Sequence, residues 1–323
     1  MRILVTGGAG YIGGMVALTL ARQGHAVVVY DNLCHATRAL LPAGADFVYG
    51  ELADRPALEK VLATGFDGVM HFAALIEAGE SMQKPELYFR NNSASSLTLL
   101  EAMISTGVHR LVFSSTAAVY GEPDVTPIPE SATLRPTNPY GESKLLVEKM
   151  LNWMYRVHGL RYASLRYFNV AGAMGGRGEA HEPESHLIPL VLDVALGRRD
   201  KIKIYGDDYP TPDGTCVRDY IHVEDLARAH LLVFEALATR EQLIYNLGNG
   251  TGFSVREIID SARHVTGHPI PVAVVPRRPG DPAVLIASSE KITRELGWKP
   301  QHTTLDTIIE SAWAWQRVRY PRA

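Results

Sequence analysis

The sequence predicts an α/β fold, a doubly wound parallel sheet followed by a smaller C-terminal α/β domain. Three observations carry that prediction. The chain opens on a short apolar run, Ile3-Leu4-Val5, which breaks into closely spaced glycines and then into helix-forming residues from Met15 to Gln23. Through the first half, apolar runs of strand length alternate with helical stretches, the pattern of a parallel sheet covered on both faces. Beyond about residue 169 the texture changes to glycine- and proline-rich sequence with shorter elements.

Taken in order, Ile3 to Val5 read as a fully buried strand. The turn after it carries Gly7, Gly8, Gly10 and Gly13, spaced both as G-x-x-G-x-x-G and as G-x-G-x-x-G. In a Rossmann-type turn such glycines permit a tight bend, close approach of the backbone to a pyrophosphate, and close packing of helix on strand. The phosphate charge then rests on the free N–H groups at the helix start. Ala26 to Tyr30 form a second strand ending in Asp31. An acid there accepts hydrogen bonds from an adenosine ribose and repels a 2′-phosphate, which points to NAD rather than NADP.

Phe47 to Tyr49 read as a third strand, running into Gly50-Glu51-Leu52, and Pro56 to Ala63 as a helix. Asp67 to Phe72 make a fourth strand, with Ala73-Ala74 just past its C-terminal end, where open sheets bind ligands. A long helical segment spans about 85–106 and is closed by Gly107. Leu111 to Phe113 form a fifth strand ending in Ser114-Ser115-Thr116. The stretch 138–158 is a second long helix, with Pro139 near its start and Gly159 as its stop. Arg161 to Phe168 give a sixth strand. This places a dinucleotide-binding domain at 1–168 and a substrate domain at 169–323, with a segment near 217–237 able to return to the first domain. Within the second domain, 172–184 is expected to be a mobile surface loop. Trp298, Trp313 and Trp315 are expected in the core of that domain.

At 323 residues, with 46% apolar and 21% charged residues, the chain has the composition of a globular protein with a substantial core. A net charge of −3 offers no reason to expect nucleic acid or an anionic membrane as partner. Two cysteines, Cys34 and Cys216, are too few for a disulfide framework and suit a reducing compartment. No apolar run reaches the roughly 18 residues of a membrane span. The N-terminus enters the nucleotide turn directly, without room for a signal peptide, so the expected location is cytoplasmic. The twelve histidines show no metal-ligand spacing, and no metal is expected.

The second informative motif is Tyr140-Gly-Glu-Ser-Lys144. Residues four apart share a helix face, and an ammonium beside a phenol favours the phenolate, lowering a tyrosine from its usual ~10. Tyr140 is thereby a candidate general base and acid, with Lys144 as charge and ribose hydrogen-bond donor. Alone, such a pair is commonly an ordinary surface pair. Thr116 changes the balance, because it lies at the C-terminal end of a strand in the same sheet, where its hydroxyl can share a substrate proton with Tyr140.

These residues, in this order, resemble the extended short-chain dehydrogenase/reductases, and within them the family of UDP-hexose 4-epimerases over nearly the whole chain. The matching segments are 6–13, Asp31-Asn32-Leu33, His71-Phe72-Ala73-Ala74, Gly79-Glu80-Ser81, 113–121, 139–144, 165–169, 217–223 and 277–281. The resemblance implies NAD that stays bound. It implies that Tyr140, assisted by Thr116, takes the proton of the sugar 4-hydroxyl while hydride leaves C4. The 4-keto sugar then turns over and receives the hydride on its other face. It places Gly7, Gly10, Tyr11, Ile12, Gly13, Asp31, Asn32, Glu51, Leu52, Phe72, Ala73, Ala74, Asn91, Ser114, Tyr140, Lys144 and Phe168 at the cofactor. It places Thr116, Tyr140, Asn169, His186, Leu187, Lys203, Ile204, Tyr205, Arg218, Arg278, Asp281 and Leu285 at a UDP-sugar, with both arginines on the diphosphate. Arginine suits that task because its fork pairs bidentately with phosphate oxygens. It also implies a homodimer through the two long helices.

Departures from the family pattern matter as well. Thr116 stands where many members have Ser, Glu51 where Asp is usual, Ile76 where Lys occurs, and His186 where Asn is frequent. Leu285 is intermediate between the Tyr of members restricted to plain hexoses and the small residue of members admitting N-acetylhexosamines, so both substrate classes stay open. Nucleotide-sugar 4,6-dehydratases carry Asp-Glu directly after the strand-end Ser/Thr, and the sugar-acid decarboxylases an acid nearby. Here Ala117-Ala118 cannot titrate. A non-catalytic NAD-binding protein and a net dehydrogenase that releases NADH complete the alternatives.

Overall fold

The computed structural model describes residues 1–278 and 281–321. Pro279 and Gly280, within the 277–281 segment, lie outside the described residues. The chain runs β1 (Arg2–Thr6), α1 (Tyr11–Arg22), β2 (Ala26–Asp31), β3 (Ala45–Tyr49), α2 (Arg55–Leu62), β4 (Gly68–His71), α3 (Ala78–Ser81), α4 (Pro85–Tyr88) and α5 (Ser95–Thr106). It continues through β5 (Arg110–Thr116), α6 (Pro139–His158), β6 (Arg161–Tyr167), β7 (Asn169–Ala171), β8 (Ala173–Met174), β9 (Arg177–Gly178), α7 (Leu187–Ala195), β10 (Ile202–Tyr205) and β11 (Val217–His222). It closes with α8 (Val223–Ala236), β12 (Gln242–Leu247), β13 (Gly252–Ser254), α9 (Val255–Thr266), β14 (Val272–Val275), β15 (Val284–Leu285), α10 (Glu290–Leu296) and α11 (Leu305–Arg319).

Seven strands form one parallel sheet in the order β12-β6-β5-β4-β1-β2-β3. The chain moves outward from β1 through β2 to β3 and returns to the other side at β4. The β1/β4 boundary is therefore the topological switch point, outside whose carboxyl ends such sheets bind ligands. The strands are apolar on both faces because both are covered. Ile3, Val5 and Val112 pack with Val16, Leu20 and Phe234 on one side, while Leu4, Leu111 and Phe113 pack with Leu58, Leu99 and Val147 on the other. Helix α6 starts where Asn138 accepts a hydrogen bond from the Gly141 N–H at 2.9 Å, with Pro139 in its first turn, and stops at left-handed Gly159.

The second half builds a separate core from α7, α9 and α11, including Val191, Leu192, Ile258, Ile259 and Ile308. Beside it, β11 pairs with β7, β13 and β15, and β10 with β14. Of the expected return segment 217–237, the helical part reaches the large sheet. Its strand, β11, belongs to the smaller sheet; α8 packs against the large one, and β12 adds its seventh strand. Burial explains this, since Leu243, Tyr245 and Leu247 complete the same apolar face as Leu226 and Phe234.

Three further expectations are corrected. The long helix at 85–106 is interrupted by a π-helical stretch over Phe89–Ala94, a feature frequent at functional sites. The segment 172–184 is strapped down rather than loose: β8 and β9 form a hairpin, Tyr11 donates to the Gly172 carbonyl at 2.6 Å, and the Trp315 indole donates to the Glu179 carbonyl at 2.7 Å. Trp298 belongs to the core of the large sheet, where its indole donates to the Asp225 carbonyl at 3.2 Å, while Trp313 packs against the second core. Among the described residues, no helix is long and apolar enough to cross a membrane.

Candidate active site

A cleft of about 1340 Å³ runs from the carboxyl ends of β1, β2 and β4, past β5 and α6, to the smaller sheet. That exceeds the roughly 300–1,000 Å³ of a single-ligand pocket and gives room for two ligands side by side. All the residues expected at cofactor or substrate line it except Ile204. Ile204 is buried in the second core, because strand alternation turns its side chain away from the face that presents Lys203 and Tyr205.

At the dinucleotide end, the glycines are dictated by close approach. Gly7 sits at φ +70°, and a Cβ there would lie 2.5 Å from the Ala73 nitrogen. A Cβ on Gly13 would lie 2.4 Å from the Gly7 carbonyl oxygen. The first turn of α1 has no side-chain cap, so its N–H groups face the cleft without an intrahelical partner. The Asp31 carboxylate accepts from the Ala9 and Leu33 N–H groups at 3.0 and 2.8 Å, which fixes it at the end of β2. Asn32 donates to the Glu51 carboxylate at 3.0 Å. A bare cradle that a methyl group would fill, an open helix N-terminus and a fixed acid at the second strand fit an adenine dinucleotide with a free 2′-hydroxyl.

Around the strand ends the structure adds residues that the sequence reading missed. His71 is held between the Thr6 and Ser96 hydroxyls at 2.7 and 2.8 Å, and burial, with Lys144 nearby, drops it to about 3, so it is a neutral hydrogen-bonding strut. Asn92, rather than its neighbour Asn91, does the fastening. Its amide accepts from the Leu75 N–H at 2.8 Å and donates to the Leu75 carbonyl and the Ser143 hydroxyl at 2.9 and 3.1 Å. The loop after β4 is thereby tied to the start of α6. A polar residue inside a helical stretch carries no sequence signal for such a role; the π-helical geometry is what aims it inward.

Tyr140 and Lys144 each meet their own partner on β5, and the phenol is raised where a lowering is expected. Lys144 is buried and donates to the Ser114 carbonyl at 2.9 Å. Burial lowers it from 10.5 to about 7. Tyr140 is raised above its ordinary value by burial, with a hydrogen bond to Thr116 pulling it down and the charge of Glu77 pushing it up. Beside them the Ser114 and Tyr167 hydroxyls hydrogen-bond each other.

At the far end, Arg218 makes an ion pair with Asp281, and Arg278 lies over the Tyr205 ring at 3.9 Å. Asn169 is exposed at the start of β7, and Phe168 and Leu285 pack beside Val119, Tyr120 and Ile128. His186 meets the Glu184 carboxylate at 2.8 Å. Burial opposes its charge, but that hydrogen bond and the charges of Glu179, Glu184 and Glu77 prevail and bring it to about 9. Among the described residues one group, His222, Glu224 and His302, has metal-ligand proximity. Both His222 nitrogens are committed, Nδ1 to the Glu224 N–H at 3.1 Å and Nε2 to Ser311 at 2.9 Å, so the group reads as a helix cap.

A dinucleotide cradle on a doubly wound sheet, with a Tyr/Lys helix docked on an adjacent strand end, defines an oxidoreductase-type NAD site. The chain belongs to the NAD dependent epimerase/dehydratase family, whose model matches residues 3–248. It is similar to the UDP-glucose 4-epimerase of Streptomyces lividans, with 56% identity over 97% of this chain and 95% of that one. It is also similar to a crystal structure of UDP-glucose 4-epimerase, with 52% identity, a TM-score of 0.96, and 99% and 98% of the two chains covered. A second similar structure is the UDP-glucose 4-epimerase from Stenotrophomonas maltophila with bound NAD and formylated UDP-arabinopyranose, at 42% identity and TM-score 0.95 over 99% and 98% of the chains.

Proposed function

We propose that this chain catalyses the NAD-dependent, reversible inversion at C4 of a UDP-hexose, interconverting UDP-galactose and UDP-glucose through a 4-keto sugar. The observation that carries the reading is the convergence of Thr116, Tyr140 and Lys144 in one cleft with the glycine cradle and Asp31, beside Ala117 and Ala118, which offer no acid for elimination.

In this reading Gly7, Gly10, Tyr11, Ile12 and Gly13 hold the pyrophosphate, Asp31 and Asn32 the adenosine ribose, and Glu51 and Leu52 flank the adenine. Phe72, Ala73, Ala74, Asn91, Ser114 and Phe168 surround the nicotinamide half. NAD, when bound, supplies the acceptor and then the donor of one hydride. Tyr140 removes the proton from the substrate O4 and returns it to the same oxygen, and Thr116 steadies both groups by its hydrogen bond to the phenol. Lys144, anchored by the Ser114 carbonyl, keeps two of its three N–H donors for ribose hydroxyls. Arg218 and Arg278 take the diphosphate, the former exchanging Asp281 for phosphate oxygens. Asn169, His186 and Leu187 border the sugar and phosphates, and Lys203 to Tyr205 the base, Ile204 by its backbone alone. We read the protein as a cytoplasmic homodimer; the exposed Trp153 and Val157 on α6 support a partner along that helix.

The test is incubation with UDP-galactose without added cofactor, following UDP-glucose and absorbance at 340 nm. Formation of UDP-glucose without accumulating NADH, and its loss in Tyr140→Phe, is the expected result. NADH accumulating in step with product would replace the epimerase with a net dehydrogenase.

A further inference from the structure

Three consecutive residues of β5 each hold one residue of α6. The Ser114 carbonyl accepts from Lys144 at 2.9 Å, the Ser115 hydroxyl donates to Glu148 at 2.5 Å, and Thr116 hydrogen-bonds Tyr140. Tyr140, Lys144 and Glu148 follow one another at four-residue spacing and so share one face of the helix. Glu148 is the only one of the three with no part in the proposed chemistry, yet it is the most heavily fastened.

Its carboxylate takes a two-pronged pair from Arg166, Nε to Oε1 at 2.9 Å and Nη2 to Oε2 at 2.5 Å. Arg166 and Glu148 are 3% and 7% exposed. Arg166 lies directly opposite Ser115 on one neighbouring strand and Asn246 on the other. It also donates to the Tyr120 hydroxyl at 2.9 Å, which in turn donates to Asn246 at 2.7 Å. A polar row thus crosses β5, β6 and β12 on the face that also carries Leu111, Phe113 and Tyr162. An ion pair so buried stabilises a fold no better than apolar residues of similar size. What it supplies is direction, since a forked guanidinium fixes a carboxylate in two dimensions.

We propose that Glu148, clamped by Arg166 and Ser115, is a positioning residue that sets the height and rotation of α6 on β5 and through it the contact between Tyr140 and Thr116. This rests on the reading of Tyr140 as the proton-transfer group. Displacement of a reacting group by about 1 Å can cost 10²-fold in rate, so a rigid gauge one helical turn beyond Lys144 is mechanistically useful.

The experiment compares Ser115→Ala, Glu148→Gln and the double variant in the full chain, reading kcat, KM for the nucleotide sugar, bound NAD and Tm. Ser115→Ala removes one hydroxyl and is read first, since Glu148→Gln leaves the Arg166 charge without its carboxylate. The expected result is a kcat at least about tenfold lower in each single variant, with KM within about threefold and NAD content unchanged. The double variant should be no worse than about twofold beyond the poorer single, because both act through one carboxylate. Arg228→Met, which removes one of the partners of the buried Asp225, serves as control and should lower Tm while sparing kcat. If Ser115→Ala and Glu148→Gln likewise lower Tm but leave kcat within twofold, or if their losses multiply in the double variant, the positioning role is overturned. Activity retained in Tyr140→Phe would instead overturn the underlying assignment of the proton-transfer group.

Discussion

Lys144 donates its ammonium to the main-chain carbonyl of Ser114 at 2.9 Å. The neighbouring Tyr140 reaches Thr116 instead. Two side chains on one helix face are thus docked on the same strand end, two residues apart, each with its own partner. The strand supplies a fixed carbonyl and a fixed hydroxyl at the points where the helix presents a donor and a phenol. Their relationship is one of shared anchorage.

Burial lowers Lys144 from 10.5 to about 7, while in the unfolded chain it keeps its ordinary value. Between those values the unfolded state binds more protons, so this residue's unfavourable contribution fades as pH rises through that window and is fully present below it. Lys144→Met should therefore raise stability near pH 6–7 by roughly 2 kcal/mol, a gain that shrinks toward pH 10 while activity is lost. Urea unfolding of both proteins across this range checks it; a gain that grows with pH would refute the assignment.

Gly13→Ala places a methyl carbon 2.4 Å from the Gly7 carbonyl oxygen, backbone that cannot rotate away. The turn must open to accept it. The expected outcome is at least about tenfold weaker NAD binding by calorimetry and a loss of roughly 1–3 kcal/mol of stability. Gly10→Ala, whose Cβ would stand 3.3 Å from the same oxygen, should be milder on both counts.

His186 is held at about 9 against burial by its bond to Glu184 and by Glu179 and Glu77. A group raised in the folded state contributes its charged-form stability fully below its unfolded value and loses it as pH climbs through the folded one. Proton NMR of the His186 ring should give a midpoint near 9 in the parent, falling toward its ordinary ~6.5 in Glu184→Gln. A parent midpoint already at the ordinary value would remove the claim that a cationic imidazole faces the cleft.

Leu285 stands opposite Arg218 across β11 and β15 and lines the cleft. We propose that its size gates the sugar's C2 substituent. Leu285→Tyr should lower kcat/KM for a UDP-N-acetylhexosamine by more than about tenfold relative to UDP-galactose, as added volume in a filled pocket demands. An unchanged ratio between the two substrates would exclude gating by this position.

Much of the site was legible because its chemistry needs residue types that leave few alternatives. Gly7 and Gly13 are forced by backbone approach, Asp31 ends a strand, and Tyr140 and Lys144 lie a turn apart. Other features had no linear signature. Asn92 and Glu148 look like ordinary helix polar residues until packing turns them inward. Ile204 sits between two cleft residues in sequence, yet faces the core because a strand alternates. The 172–184 segment reads as loose, since glycines conceal the side chains elsewhere, Tyr11 and Trp315, that bind its backbone.

The sequence by itself determined the parallel sheet, the glycine cradle, the acid that follows β2 and the residue types available for proton transfer, because these depend on local periodicity and short spacings. Tertiary structure alone decided that β12 completes the large sheet, that Lys144 belongs to Ser114, and that a buried row from Ser115 through Arg166 to Asn246 underlies α6. Those relationships join residues from 30 to 131 positions apart, as far as Ser115 lies from Asn246. They are set by burial and hydrogen-bond satisfaction across the whole fold, which no local pattern encodes.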